Sequence, residues 1–211
     1  EVIIDEDKLI VYYEYTGMSL TSYIHNLQKC ITENTLMQIK TVMYQILVAV
    51  NHLHSKNIIH RNLTDNRIRI DLKDSKIKIS DCECSRVYRL PIRPYTKDLI
   101  PSSLWFMPPE KFLGQDKYSI GIDIWSIGVN FTNLFIKKCI FMGNTQLETL
   151  FDIFEVLGTP NDGSLPGFRY FSNLDVELPN TQGCGLRTRI KKMEVIPMPD
   201  EAYDLIEQML K

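Results

Sequence analysis

A chain of 211 residues, 44% hydrophobic and 24% charged, is long enough to close one sizeable core. Its formal charge of −2 makes no field that would draw nucleic acid or an acidic membrane, and no apolar run is long enough to cross a bilayer. Five scattered cysteines make no disulfide framework, and Cys82 and Cys84 lack a second pair at ligand spacing, so two ordinary small residues are a simpler reading than half a metal site.

In chain order, the polar Asp5-Glu6-Asp7 turn precedes a β-rich run, Leu9 to Tyr15. Ser19 is placed to cap a short helix running through His25. Leu36, Ile39, Met43, Ile46, Leu47, Val50 and Leu53 recur at helical spacing and predict a long amphipathic helix over about residues 33 to 55. Ile68-Arg69-Ile70 and Ile77-Lys78-Ile79 read as short alternating strands joined by the Asp74-Ser75 turn. A segment rich in Pro and polar residues follows, to Glu110. Residues 119 to 136 are apolar most of the way round, as in a buried central helix. Thr145 and Glu148 have capping-box spacing, and Gly158-Thr159-Pro160 ends the helix they start. Residues 159 to 199 read as loop-rich, with a basic cluster of Arg187, Arg189, Lys191 and Lys192 that suits a solvated loop face better than a nucleic-acid patch. Asp200 is placed to cap a final amphipathic helix.

The most informative stretch is His60-Arg61-Asn62-Leu63-Thr64-Asp65-Asn66-Arg67. It resembles the catalytic loop of protein kinases, H-R-D-L-x-x-x-N, with its reactive groups replaced. Further landmarks follow in the order of that family. Asp81-Cys82-Glu83 stands after a strand, where D-F-G belongs. Met107-Pro108-Pro109-Glu110 stands where A-P-E closes the activation segment, and Asp123-Ile124-Trp125-Ser126-Ile127-Gly128 matches D-x-W-S-x-G. Phe141 to Thr145 and Leu150 to Pro160 resemble the cyclin-dependent kinase group in particular, so the resemblance covers the whole chain. It implies an α+β, mainly α, kinase-like fold. Residues 1–18 would be the last strands of the N-lobe and the hinge. Residues 19–211 would be the C-lobe, shortened at its C-terminal end. Before His60 the only glycine is Gly17, and none of Lys8, Lys29, Lys40 and Lys56 stands in a V-A-I-K strand. An Arg that partners Glu110 in the family lies beyond Leu210.

The resemblance also assigns the site. Asn62 stands in place of the catalytic base, and an amide is no base at neutral pH. Thr64 replaces a Lys that steadies the transferred phosphate. Arg67 replaces the Asn that binds a second magnesium ion, putting a fixed cation there. Asp81 is the one retained metal ligand. Its neighbours Cys82 and Glu83 replace Phe and Gly, and Glu is expected to resist the backbone geometry that Gly permits. Tyr13, Glu14, Thr16, Ser19 and Arg69 fall at nucleotide-cleft positions, Arg69 under the adenine. Thr96 resembles the activating phosphorylation site, and Arg61 and Arg86 would receive its phosphate. Met107 replaces an Arg near the proline-directed substrate pocket.

The expectation is therefore an inactive pseudokinase, intracellular in cytoplasm or nucleus. It would bind a protein partner such as a cyclin-like protein or a kinase regulator, and no cofactor, nucleic acid or membrane. The alternative is a residual Ser/Thr kinase or nucleotide-binding protein using ATP and Mg²⁺, with its N-lobe outside this chain. A degenerate product without a role is the third reading.

Overall fold

The computed structural model describes residues 2–5, 8–28, 34–89, 92, 103–117, 119–161 and 178–211. The chain opens with a hairpin of β1 (Val2–Asp5) and β2 (Lys8–Val11), paired Val2 to Val11. The β-rich run thus stops at Val11, and Tyr12 to Gly17 are not strand. A short β3 (Met18–Ser19) leads into α1 (Leu20–Gln28). The Ser19 Oγ accepts from the Ser22 backbone N at 3.1 Å, the cap foreseen in the sequence. The helix runs three residues past His25.

The long helix α2 (Thr35–Ser55) buries Ile39, Val42, Met43, Ile46 and Val50 on one face. It is followed by β4 (Ile58–Ile59), β5 (Ile68–Asp71), β6 (Lys76–Ile79) and β7 (Arg86–Val87). Strand β5 is central in a three-stranded sheet, β3-β5-β6, while β4 pairs with β7. Gly17 makes the β3 approach possible. Its φ of +90° suits glycine, and a Cβ there would lie 2.1 Å from the Ile70 carbonyl oxygen.

After α3 (Pro109–Phe112) comes the core helix α4 (Gly121–Ile136), buried continuously from Trp125 to Ile136. It packs against α2, α6 (Leu186–Met193) and α7 (Asp200–Met209). Gly128 lets α7 come close, since a Cβ would meet Met209 and Leu210 side chains at 2.9 Å. Helix α5 (Gln146–Leu157) begins with the capping box: Thr145 Oγ1 accepts from Glu148 N, and Glu148 Oε2 accepts from Asn144 N.

Three sequence expectations need correction here. Helix α6 lies within the stretch read as loop-rich. The basic cluster sits on it and is not a solvated loop face throughout. Arg187 pairs with Asp200 at 2.8 Å and Asp204 at 2.7 Å, and Arg189 pairs with Asp152. Those ion pairs pin a helix whose mean sequence is polar. At α7 the cap position is Pro199, with Asp200 inside the first turn.

Lys137 ends α4 in the left-handed region at φ 62°, and burial lowers its ammonium to about 8. Nearby Cys139 is a buried thiol, raised by burial to about 12. A lysine depressed on folding binds fewer protons folded than unfolded, so stability rises with pH from about 8 toward 10.5. The cysteine acts in the opposite sense above its ordinary 9.0. Between pH 8 and 9, the unfolding free energy obtained from urea denaturation is therefore expected to rise by at most about 1 kcal/mol, since one pKa unit is worth about 1.4 kcal/mol. Lys137→Met should flatten that slope. An unchanged slope would show that Lys137 titrates normally.

Candidate functional site

The catalytic-loop scaffold hangs from one carboxylate. Asp123 near the start of α4 has no exposed surface. Its Oδ2 accepts from the His60 backbone N and from His54 Nε2, both at 2.9 Å, and its Oδ1 accepts from the Arg61 backbone N at 2.8 Å. Asn130, two turns on, donates to the Leu63 carbonyl at 2.9 Å. His60 Nε2 lies 3.0 Å from the Ser80 carbonyl, and burial lowers its pKa despite that bond. The ring is therefore neutral, with Nε2–H donating to Ser80. Arg61, held at φ 68°, donates from Nε to the Cys84 carbonyl.

The residues that should carry chemistry are placed as follows. Asn62 is buried, with its backbone carbonyl accepting from Thr64 N at 3.0 Å. In the amide orientation that satisfies both partners, its carboxamide oxygen accepts from Arg67 Nη1 at 3.3 Å and Nη2 at 3.2 Å. The same Nη2 donates to Glu83 Oε1 at 2.7 Å. Arg67 has not swung away. It is clamped between the Asn62 amide and the Glu83 carboxylate. Partial burial disfavours the charged form of Glu83, but the Arg67 hydrogen bond and charge outweigh it and hold the carboxyl below its usual range. Thr64 is 3% exposed, and its hydroxyl finds no partner among the described residues.

Asp81 carries the left-handed backbone, φ 58° and ψ 63°, just before a 3₁₀ turn of Cys82–Cys84. The strain expected at Glu83 is absent, because Glu83 sits in that turn without a positive φ. Asp81 Oδ2 accepts from Ser80 Oγ at 3.0 Å but makes no cap hydrogen bond to the turn.

Tyr13, Glu14, Thr16, Arg69 and Asp81 line one cavity of about 960 Å³, together with Lys78 and Glu83. Five of the six residues read as cofactor-binding are thereby brought together. Ser19 is not; its hydroxyl is buried and used on α1. Arg69 stands on the cleft face of β5, since Ile68 and Ile70 turn into the core. Its Nη2 donates to the Gly17 carbonyl at 2.6 Å, so the side chain crosses the cleft floor to the segment after Tyr13. Tyr13 itself is 66% exposed. Lys78 pairs with Glu14. Sequence reasoning missed Lys78 and Glu83 as partners. The signal available was charge: Arg67 and Lys78 each have an acid beside them, Glu83 and Glu14.

Arg86 lies opposite Ile59 in the β4–β7 pair, which brings it beside the His60-Arg61 turn. Thr96, the third part of the expected regulatory pocket, lies outside the described residues. Glu110 is partly buried, and burial raises its carboxyl above the usual value.

The cleft, the loop and the buried aspartate agree with the profile of the protein kinase domain, which matches residues 1–211. The chain belongs to the protein kinase family. It is cyclin-dependent-kinase-like. It is 30% identical over 210 residues to the cell division control protein 2 homolog 2 of Trypanosoma brucei brucei, covering all of this chain and 58% of that protein. The kinase-like fold is equally clear. A chain of the yeast RNA Pol II CTD kinase CTDK-1 complex superposes with a TM-score of 0.82 at 27% identity, over 100% of this chain and 67% of that one.

Proposed function

We propose that this kinase-family chain is a pseudokinase: it keeps the C-lobe scaffold, transfers no phosphate and acts by binding a protein partner. Residues 1–18 act as the last N-lobe strands and hinge, and 19–211 as the C-lobe. The observation that carries the reading is the Asn62 carboxamide at the base position, tied to Arg67 at 3.2 and 3.3 Å.

The residues present do not fit Mg²⁺-ATP. At the second ligand position a guanidinium is engaged by Glu83 at 2.7 Å. A divalent ion there would have to compete with the guanidinium for that carboxylate, and two unit charges about 4 Å apart interact with roughly 4 kcal/mol at an effective dielectric near 20. On the adenine side, Arg69 lies over the floor where an apolar residue would take a base. Asn62 and Thr64 thus stand at degraded catalytic positions, and Arg67 at a lost metal position. Tyr13, Glu14, Thr16, Arg69 and Asp81 line a cleft without its nucleotide chemistry. Arg61 and Arg86 remain candidates for receiving phosphorylated Thr96.

For the partner, a cyclin-like protein or a kinase regulator suits the descent of the chain, and the similar yeast kinase was itself solved as a complex. No nucleic-acid surface is proposed, because Arg187 and Arg189 of the basic cluster are spent on acids. No helix among the described residues is long and apolar enough to cross a membrane. An intracellular site, cytoplasmic or nuclear, accords with this reading.

Thermal denaturation with ATP and Mg²⁺ tests it against the nucleotide-binding alternative, which the cavity of about 960 Å³ favours. A ligand at about 100 times its Kd adds about 2.7 kcal/mol to the folded state. Millimolar ATP with Mg²⁺ is expected to leave the midpoint unchanged. A rise of several degrees that depends on Mg²⁺ would establish the alternative.

A further inference from the structure

We infer that Arg67 and Glu83 form an internal ion-pair latch that takes over the divalent cation's role of holding the segment after β6 against the catalytic loop. The inference rests on the reading of the site as unfit for Mg²⁺.

Arg67 grips this segment at both ends. Its backbone carbonyl accepts from Ser80 N at 2.9 Å and from Ser80 Oγ at 3.2 Å. Three residues on, its guanidinium takes Glu83 at 2.7 Å. The path between is short enough only because Asp81 adopts φ 58° and the 3₁₀ turn follows at once, which turns Glu83 back toward the loop. Arg61 adds a third tie, to the Cys84 carbonyl. The other face of the Arg67 guanidinium is filled by Asn62.

The three replaced positions therefore depend on one another. Glu83, in the short turn after Asp81, needs a cation. A tethered guanidinium supplies it without any free-ion concentration to meet. An aspartate at position 62 would compete with Glu83 for that guanidinium, whereas an asparagine satisfies it without competing charge. Random loss of a catalytic site predicts no such mutual fit. The latch makes the start of the activation segment independent of both metal and nucleotide, so that this face is presented to a partner in one fixed form.

Hydrogen exchange of the full chain, read on the peptide spanning residues 80 to 87, tests the latch. In the unaltered protein, protection should be the same with millimolar Mg²⁺ and with chelator. Arg67→Gln and Glu83→Gln should each speed exchange in that peptide at least tenfold, while α4 peptides stay protected and report that the variants fold. The swapped pair Arg67→Glu with Glu83→Arg should recover protection. Unchanged exchange in both single variants, or no recovery in the swap, would overturn the latch. So would protection that appears only with Mg²⁺. The pseudokinase reading fails separately, by phosphate transfer from labelled ATP, which these exchange rates do not report.

Discussion

Given labelled ATP and a generic Ser/Thr substrate, the chain is expected to incorporate no phosphate above background, and Asn62→Asp alone is expected to leave it there. Loss of general-base help costs roughly 10²–10⁴ in rate. Restoring the carboxylate would ordinarily return that factor. Here the new carboxylate would stand 3.2 to 3.3 Å from two guanidinium nitrogens of Arg67. It would form an ion pair, fall in pKa and be held away from any substrate hydroxyl. Positioning and charge stabilisation carry most of phosphoryl transfer. On the pseudokinase reading, Thr64 and Arg67 stand at two further positions that the substitution does not restore. Single-turnover assays of the unaltered chain, Asn62→Asp and Asp81→Ala decide the matter. Incorporation that survives purification and disappears in Asp81→Ala would refute the pseudokinase reading. A large gain in Asn62→Asp alone would show that Arg67 releases the new carboxylate.

The second large effect is structural. Asp123→Ala is expected to cost at least about 3 kcal/mol, the scale for breaking a buried charged network by removing one partner. The substitution strands two backbone N–H groups, of His60 and Arg61, and the His54 ring N–H. Asp123→Asn keeps the shape but offers one oxygen to two oxygens' worth of donors, and turns an NH₂ toward a donor. It should cost less than the alanine and more than a surface change. Urea denaturation gives both values. Near-neutral results would mean that the catalytic loop is held chiefly by Asn130 and by the packing of Leu63. The two demands on the loop are separable at Asp123, whose carboxylate holds the loop backbone at His60 and Arg61 whatever stands at position 62.

Much of this architecture was legible in the residues. Apolar spacing gave α2 and the buried α4, because a helix inside a core must repeat every 3.6 residues along each packed face. Local chemistry gave the Ser19 cap and the Thr145–Glu148 box, since those bonds span three residues and need no tertiary partner. Motif order gave the family. Tyr13, Glu14 and Thr16 line one cleft with Arg69 and Asp81, which lie far from them in the chain.

What the sequence could not carry is pairing across distance. Helix α6 has a polar mean composition, and it is Asp152 from α5 and Asp200, Asp204 and Glu207 from α7 that make its arginines structural. The two-residue strands β3, β4 and β7 have no periodicity of their own and exist through their partners. Glu83 read as a lost glycine, and its use appears only when the left-handed Asp81 turns it onto Arg67. By itself the sequence determined that this is a kinase-family scaffold with Asn62 in its catalytic-loop motif. Only the tertiary structure decided that the replacing side chains satisfy one another, because a charge's effect is fixed by what the fold brings within about 3 Å of it.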